Sequence, residues 1–157
     1  MRILGLDYGS KRIGVAVCDE LGIMAHAVTT ITRKNKESDL EAIANQIKFY
    51  SVEKIVVGYP VKLNGTEGRQ CEKVNRFIQH LERRFALPVI RWDETLTTKD
   101  AEEILVHAGT RRNKRRKVID RIAAAIILQS YLDAVKPEKT PENNIFHKLY
   151  VEKNKST

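Results

Sequence analysis

The sequence predicts an α/β protein built on a mixed five-stranded sheet, with three antiparallel strands first, helix-connected parallel strands after them, and helices flanking the sheet. Three observations carry this. The first three β-rich runs, near 2–7, 12–18 and 23–31, are separated by turns too short to hold a helix. Two later runs, Ile55-Val56-Val57 and Pro88 to Trp92, each follow a stretch with helical apolar spacing. The runs stop at turn residues or acids, as strands that empty into loops do.

In order along the chain, Ile3, Leu4 and Leu6 form the first strand, Asp7 stands where it ends, and Gly9-Ser10 turn the chain. Ile13 to Val17 make the second strand, and Asp19-Glu20-Leu21-Gly22 a hairpin into the third. Over 37–50, Leu40, Ile43, Ala44, Ile47 and Phe49-Tyr50 fall close to a helical period. The strand at 55–57 stops at Gly58-Tyr59-Pro60. A second helix is expected from Asn64-Gly65 to about Phe85, with Val74, Phe77, Ile78 and Leu81 on one face. The fifth strand ends at Asp93-Glu94. Thr97 or Thr98 is placed to cap a helix over 99–108, with Gly109 beyond it. The last helix is expected over 118–134, striped by Ile119, Ile122, Ala123, Ile126 and Ile127. Residues 1–136 thus read as one domain and 137–157 as a polar, Lys-rich tail. That tail carries one apolar island, Ile145-Phe146 to Leu149-Tyr150-Val151, and is expected to be loosely attached or docked on the domain or a partner.

A chain of 157 residues can bury a core without staples. Cys18 and Cys71 lack metal-ligand spacing and are too few for a disulfide framework, so reduced thiols are expected. No charged-then-apolar leader precedes the first strand and no apolar stretch approaches membrane-spanning length, which points to the cytoplasm. The net charge of +8 is uneven: Arg111, Arg112, Lys114, Arg115, Arg116 and Lys117 carry six positives without an acid, and the other 22 basic residues nearly balance 20 acidic ones. One dense basic segment on a nearly neutral domain suggests a polyanion, usually nucleic acid; the alternative is a solvated loop.

Ligands of such sheets gather outside the carboxyl ends of the parallel strands, which singles out Asp7 and the pair Asp93-Glu94. A carboxylate at the mouth of a buried strand is costly without a cationic partner, commonly a divalent metal or a phosphate ligand carried by one. Asp7 could instead simply open a turn. Asp120 is expected in the first turn of the last helix, where complementing the helix dipole would suffice to explain it. His26, His80, His107 and His147 do not cluster.

Taken together, Gly5-Leu-Asp7-Tyr-Gly9-Ser, Gly58-Tyr-Pro60, Asn64-Gly-Thr-Glu67, Asp93-Glu-Thr-Leu-Thr97-Thr and Ile119-Asp120-Arg-Ile-Ala-Ala124 resemble the YqgF/RuvX family. Its members are ribonuclease-H-like proteins described as Holliday-junction-resolvase-like and as pre-16S ribosomal RNA nucleases. The motifs follow in order from residue 1 to about 134. The resemblance implies a ribonuclease-H-like fold, magnesium or manganese, and work at the 5′ end of the small-subunit ribosomal RNA precursor. Two departures stand out. Thr95 occupies the place where the family usually has Arg, so another cation, Arg91 or one of the basic run, would have to grip a phosphate. Resolvases of this superfamily carry Glu at the end of the fourth strand, where this chain has Gly58-Tyr59-Pro60. The acid then comes from the fifth strand, about two strand spacings of ~4.8 Å from Asp7. Asp93 and Glu94 would point to opposite sheet faces, and Glu94 has the longer reach.

On this reading, phosphodiester hydrolysis uses two hard cations held by oxygen ligands, with Asp7 shared, Asp93 or Glu94 second and Asp120 third. Lys11, Lys62, Arg69 and the cations of 111–117 would hold the nucleic-acid backbone without reading its sequence. Asn64 either offers a phosphate contact at the amino end of the second helix or caps that helix. Three other functions compete. The Asp7-Tyr-Gly-Ser10 hairpin also looks like the phosphate loop of sugar kinases and actin-like ATPases, which need two such domains. A non-cleaving or weakly cleaving RNA-binding ribosome-assembly factor would use the basic surface alone. A resolvase of branched DNA would require a symmetric dimer, whereas the expectation is a monomer or weak homodimer, with a ribosomal particle as a candidate partner.

Overall fold

A computed structural model describes residues 1–60, 68–93 and 112–135, the side chains of 112–121 excepted. The strands are β1 (Ile3–Tyr8), β2 (Arg12–Cys18), β3 (Ala25–Thr32), β4 (Lys54–Tyr59) and β5 (Val89–Asp93); the helices are α1 (Lys36–Tyr50), α2 (Arg69–Arg84) and α3 (Arg112–Val135). They form one five-stranded sheet in the order β3-β2-β1-β4-β5. β1, β2 and β3 pair antiparallel, and β4 and β5 add parallel to β1. The predicted sheet is therefore the observed one.

Strand alternation sorts side chains between two cores. Leu4, Leu6, Val15, Val57 and Tyr59 lie under α1 and α2 with Leu40, Ile43, Val74, Phe77 and Leu81. Ile3, Ala16, Cys18 and Val56 lie under α3 with Ala124, Ile127, Leu128, Tyr131 and Leu132. The α3 side is tight. A Cβ on Gly5 would fall 2.8 Å from the Leu128 Cβ and 3.1 Å from the Ala124 carbonyl oxygen, so glycine is what lets the helix sit so close. Gln129 ties α3 to the start of β3, accepting from the Ala25 amide (2.9 Å) and donating to the Ile23 carbonyl (3.0 Å).

Helix ends differ from expectation in two places. α1 opens as predicted, with Asn35 Oδ1 accepting the Ser38 amide at 2.8 Å. α2 opens at Gly68 instead of Asn64-Gly65, so Asn64 is not its cap. The apolar spacing that holds α2 to the sheet starts only at Cys71, and 64–67 contribute no apolar position to extend it. α3 begins at Arg112, six residues before the expected 118. Arg and Lys are good helix formers, and neither Gly nor Pro interrupts 112–135. The basic run from 112 is thus helical backbone, and Asp120 sits more than two turns inside the helix. The dipole role expected of a first-turn acid lapses there, because that effect fades within one turn. Lys62, Asn64, Glu94, the expected helix at 99–108, Arg111 and the tail from 137 lie outside the described residues. Among the described residues, no helix is long and apolar enough to cross a membrane.

Candidate active site

The carboxyl end of β1 is held by a clamp of local contacts. Gly9 turns the chain, its amide donating to the Arg12 carbonyl at 2.9 Å. A Cβ at Gly9 would come within 2.7 Å of that oxygen, so the turn excludes larger residues. Arg33, just past β3, reaches back with Nη1 to the carbonyls of Gly9 (2.9 Å) and Ser10 (3.0 Å). Its guanidinium lies 4.3 Å from the Tyr8 ring centroid, and Tyr8 stacks on Phe77 of α2 at 4.1 Å. Asp39, buried at the start of α1, sits 4.0 Å from Arg33 Nε and accepts the Lys34 amide at 3.0 Å. From α2, Gln70 Nε2 donates to the Tyr8 carbonyl at 3.1 Å. Hydrogen bonds to a charged donor are worth about 1.5–3 kcal/mol each, so the strand end carrying Asp7 is positioned from two sides.

Asp7 itself is half-buried. Its neighbours in β1 fix the face it uses: Leu6 and Tyr8 belong to the α1/α2 core, Ile3 and Gly5 to the α3 side, so Asp7 belongs to the α3 side. Gly14 lies opposite it in β2. On the other side Leu6 pairs with Val57, which brings Gly58 beside Asp7 in the next row. The residues directly beside Asp7 in both neighbouring strands are therefore glycines. Gly58 in turn pairs with Trp92, whose indole packs on the α3 side, donating to Ser130 Oγ at 3.1 Å.

α3 runs antiparallel to β1. Its later turn meets the start of the sheet, where Lys54, the partner of Ile3, donates to the Tyr131 hydroxyl at 3.3 Å, and its earlier turn meets Gly5 at Ala124. Four residues back along the helix is about 6 Å; two residues forward along the strand is about 6.6 Å. Those steps lead along the helix to position 120 and along the strand to Asp7. Helical phase puts 120 on the stripe of Ala123, Ala124 and Ile127, the buried face of α3.

The other predicted residues separate. Asp93, the exposed last residue of β5, pairs with Tyr59 and alternates with Trp92, so it belongs to the α2 face, away from Asp7. Arg91 is on that face too: its guanidinium stacks 4.2 Å from the Tyr59 ring centroid and bonds Asn75 at 3.3 Å, which removes it as a cation for the Asp7 side. Lys11 is exposed at the hairpin tip and Arg69 is exposed at the first position of α2. Arg112, Lys114, Arg115, Arg116 and Lys117 occupy the opening turns of α3, with side chains outside the described set, as is that of Asp120. Among the described residues no three His, Cys, Asp or Glu side chains converge as a metal-ligating group. Sequence reading missed Arg33, Asp39 and Gln70. Their signal is faint, since a basic residue before a helix cap looks like ordinary surface charge.

A five-stranded mixed sheet in this order, with one helix behind the first strand and an acid at that strand's carboxyl end, defines the ribonuclease-H-like class. The crystal structure of the fowlpox virus Holliday junction resolvase has this fold: it is 14% identical with a TM-score of 0.51, and the match covers 86% of this chain and 100% of that one. The family model described as "RuvX: Holliday junction resolvase" matches residues 1–134, and the chain belongs to the RuvX family. A relative from Syntrophus aciditrophicus (strain SB) is 62% identical over 143 residues, 91% of this chain and 95% of its own length, and is named "Putative pre-16S rRNA nuclease". One from Thermoanaerobacter pseudethanolicus, with the same name, is 49% identical over 137 residues, covering 87% of this chain and 99% of its own length.

Proposed function

We propose that this protein is a divalent-metal-dependent endonuclease that processes the precursor of 16S ribosomal RNA at its 5′ end. The observation that carries the reading is Asp7: a half-buried carboxylate at the sheet's carboxyl edge, flanked by Gly14 and Gly58, on the face of the sheet that packs α3. Carboxylate oxygens at a strand mouth are the donors a hard cation takes. Asp7, Glu94 and Asp120 would hold magnesium or manganese, Asp7 as the shared ligand. Glu94 is preferred because Asp93 emerges on the far face of the sheet. When bound, the metal supplies the charge that activates water and neutralises the leaving oxygen.

The chain's own residues do the positioning. The Arg33 clamp holds the β1–β2 turn so that Asp7 meets the phosphate in one orientation. Lys11 at the tip and Arg69 at the head of α2 offer cations to flanking phosphates, and the basic opening of α3 offers more. The names of relatives that match over most of both chains favour a ribosomal RNA precursor over branched DNA. That substrate is cytoplasmic, and so is the proposed activity.

The test is cleavage of a labelled small-subunit ribosomal RNA precursor, with manganese or magnesium, by wild type and Asp7→Asn in parallel. Wild type should cut and Asp7→Asn should lose about 10²–10³-fold or more in rate, with an unaltered fold by circular dichroism. Equal cutting by both would remove Asp7 from the chemistry. Binding without cutting by wild type would make the protein an assembly factor.

A further inference from the structure

α2 divides its exposed surface by charge. Arg69, Lys73, Arg76, His80 and Arg83 follow at spacings of four, three, four and three, a single stripe on a helix. The neighbouring flank, at 72, 75, 79 and 82, reads Glu, Asn, Gln, Glu. That second flank turns toward β5, where Asn75 contacts Arg91 and the Tyr59 hydroxyl. The basic stripe turns toward α1. His80 is half-buried there and, with Lys36 and Leu40, lines a groove. One end of the groove is a cavity of about 410 Å³, bounded also by Ser10, Arg33 and Lys34, and Arg83 and Arg84 line its continuation. Two acids line the groove, Asp39, engaged with Arg33 and the Lys34 amide, and Glu37; Arg84 pairs with Glu41 at 2.8 Å. Burial first, then the charges of Lys36, Arg83 and Arg76, hold the His80 imidazole below its ordinary pKa.

We infer that this stripe and groove bind the phosphodiester backbone of a single-stranded RNA segment flanking the cleavage site. The placement gives the direction. Gln70, next to the first member of the stripe, is bonded to the Tyr8 carbonyl beside Asp7. α2 then runs back along the sheet, and the chain returns to its far edge where the Pro88 carbonyl accepts the Ile55 amide. From Arg69 to Arg83 the stripe extends about 21 Å, long enough to follow several successive phosphates. The opening turns of α3, by contrast, lie on the other side of the sheet, so the two basic regions serve opposite flanks of a strand crossing the Asp7 edge.

Which side of the cut is held rests on the nuclease reading, but binding does not, and the experiment separates the two. A labelled single-stranded RNA of about 20 nucleotides is titrated over a range of potassium chloride concentrations with Asp7→Asn protein, so that nothing is cut. The triple variant K73Q/R76Q/R83Q, made in that background, should bind roughly a hundredfold more weakly at 0.1 M salt, with a log–log salt slope reduced by about 2. The charge-preserving variant K73R/R76K/R83K should keep the original slope. An unchanged slope in the glutamine variant overturns the inference, and so does an equal loss in the charge-preserving one. If wild type cuts nothing while the slopes behave as stated, the nuclease reading fails and the RNA-binding stripe stands.

Discussion

On its α3 side the sheet offers Gly5, Ala16 and Cys18 beside Ile3 and Val56, to a helix that meets Gly5 with Ala124 and Leu128 and continues with Ile127 and Tyr131. On the other side it offers Leu4, Leu6, Val15, Val57 and Tyr59 to two helices that answer with Leu40, Ile43, Phe77 and Leu81. A small residue lets a backbone come close, and Gly5 is what lets α3 pack tightly on β1. On the opposite face large aliphatics hold α1 and α2 by their apolar stripes and leave their outer flanks free to carry charge. One strand, β1, serves both arrangements, because alternate residues belong to different layers.

The sharpest way to break this division is to disturb the close face. Leu128→Ala, at a fully buried position against Gly5, should cost about 2–5 kcal/mol in urea unfolding. Gly5→Val fills the same contact from the strand side and should cost about 1–3 kcal/mol or more, with nuclease activity falling further than stability because α3 is pushed from β1. If Gly5→Val unfolds normally and cuts normally, close approach is not what aligns position 120 with Asp7. Next comes the clamp: Arg33→Ala should lose about 1.5–3 kcal/mol and lower kcat more than it raises KM. A change in KM alone would make Arg33 a substrate contact rather than a positioning residue.

The smallest effect belongs to the charged face. Because the folded-state pKa of His80 is depressed, the unfolded chain takes up that proton first as the pH falls. The associated stability is whole above about pH 6.5 and declines on acidification below it. His80→Gln should therefore soften the drop in melting temperature between about pH 7.5 and 5.5. An identical pH profile in both proteins would mean that neither burial nor the neighbouring cations lower the His80 pKa.

Much of this architecture was legible in the sequence, for reasons that can be located. β2 was expected at 12–18 and α1 at 37–50, and they run Arg12–Cys18 and Lys36–Tyr50, because strand alternation and helical period are written in consecutive residues. The start of α3 is not legible in the sequence because a run of Arg and Lys has no apolar rhythm to mark it as helix. The start of α2 was misread because Asn-Gly is a strong turn signal wherever it falls. The basic stripe of α2 was present as spacing, yet it hides in a list of charges until the helix is known to face α1.

The sequence alone determined the order of the five strands and of the helices among the described residues, that acids stand at the ends of the first and fifth strands, and that cations exceed acids. These are properties of neighbours along the chain. Only the tertiary structure decided which face each acid serves. Asp7 lies with α3 and Asp93 opposite it, because parity along a strand acquires a meaning only when sheet order, register and the packed helix are set together. It also decided that Arg33 and Gln70, sixty-two residues apart from Tyr8 in the latter case, close on the same turn. Those contacts join parts of the chain that no local pattern relates.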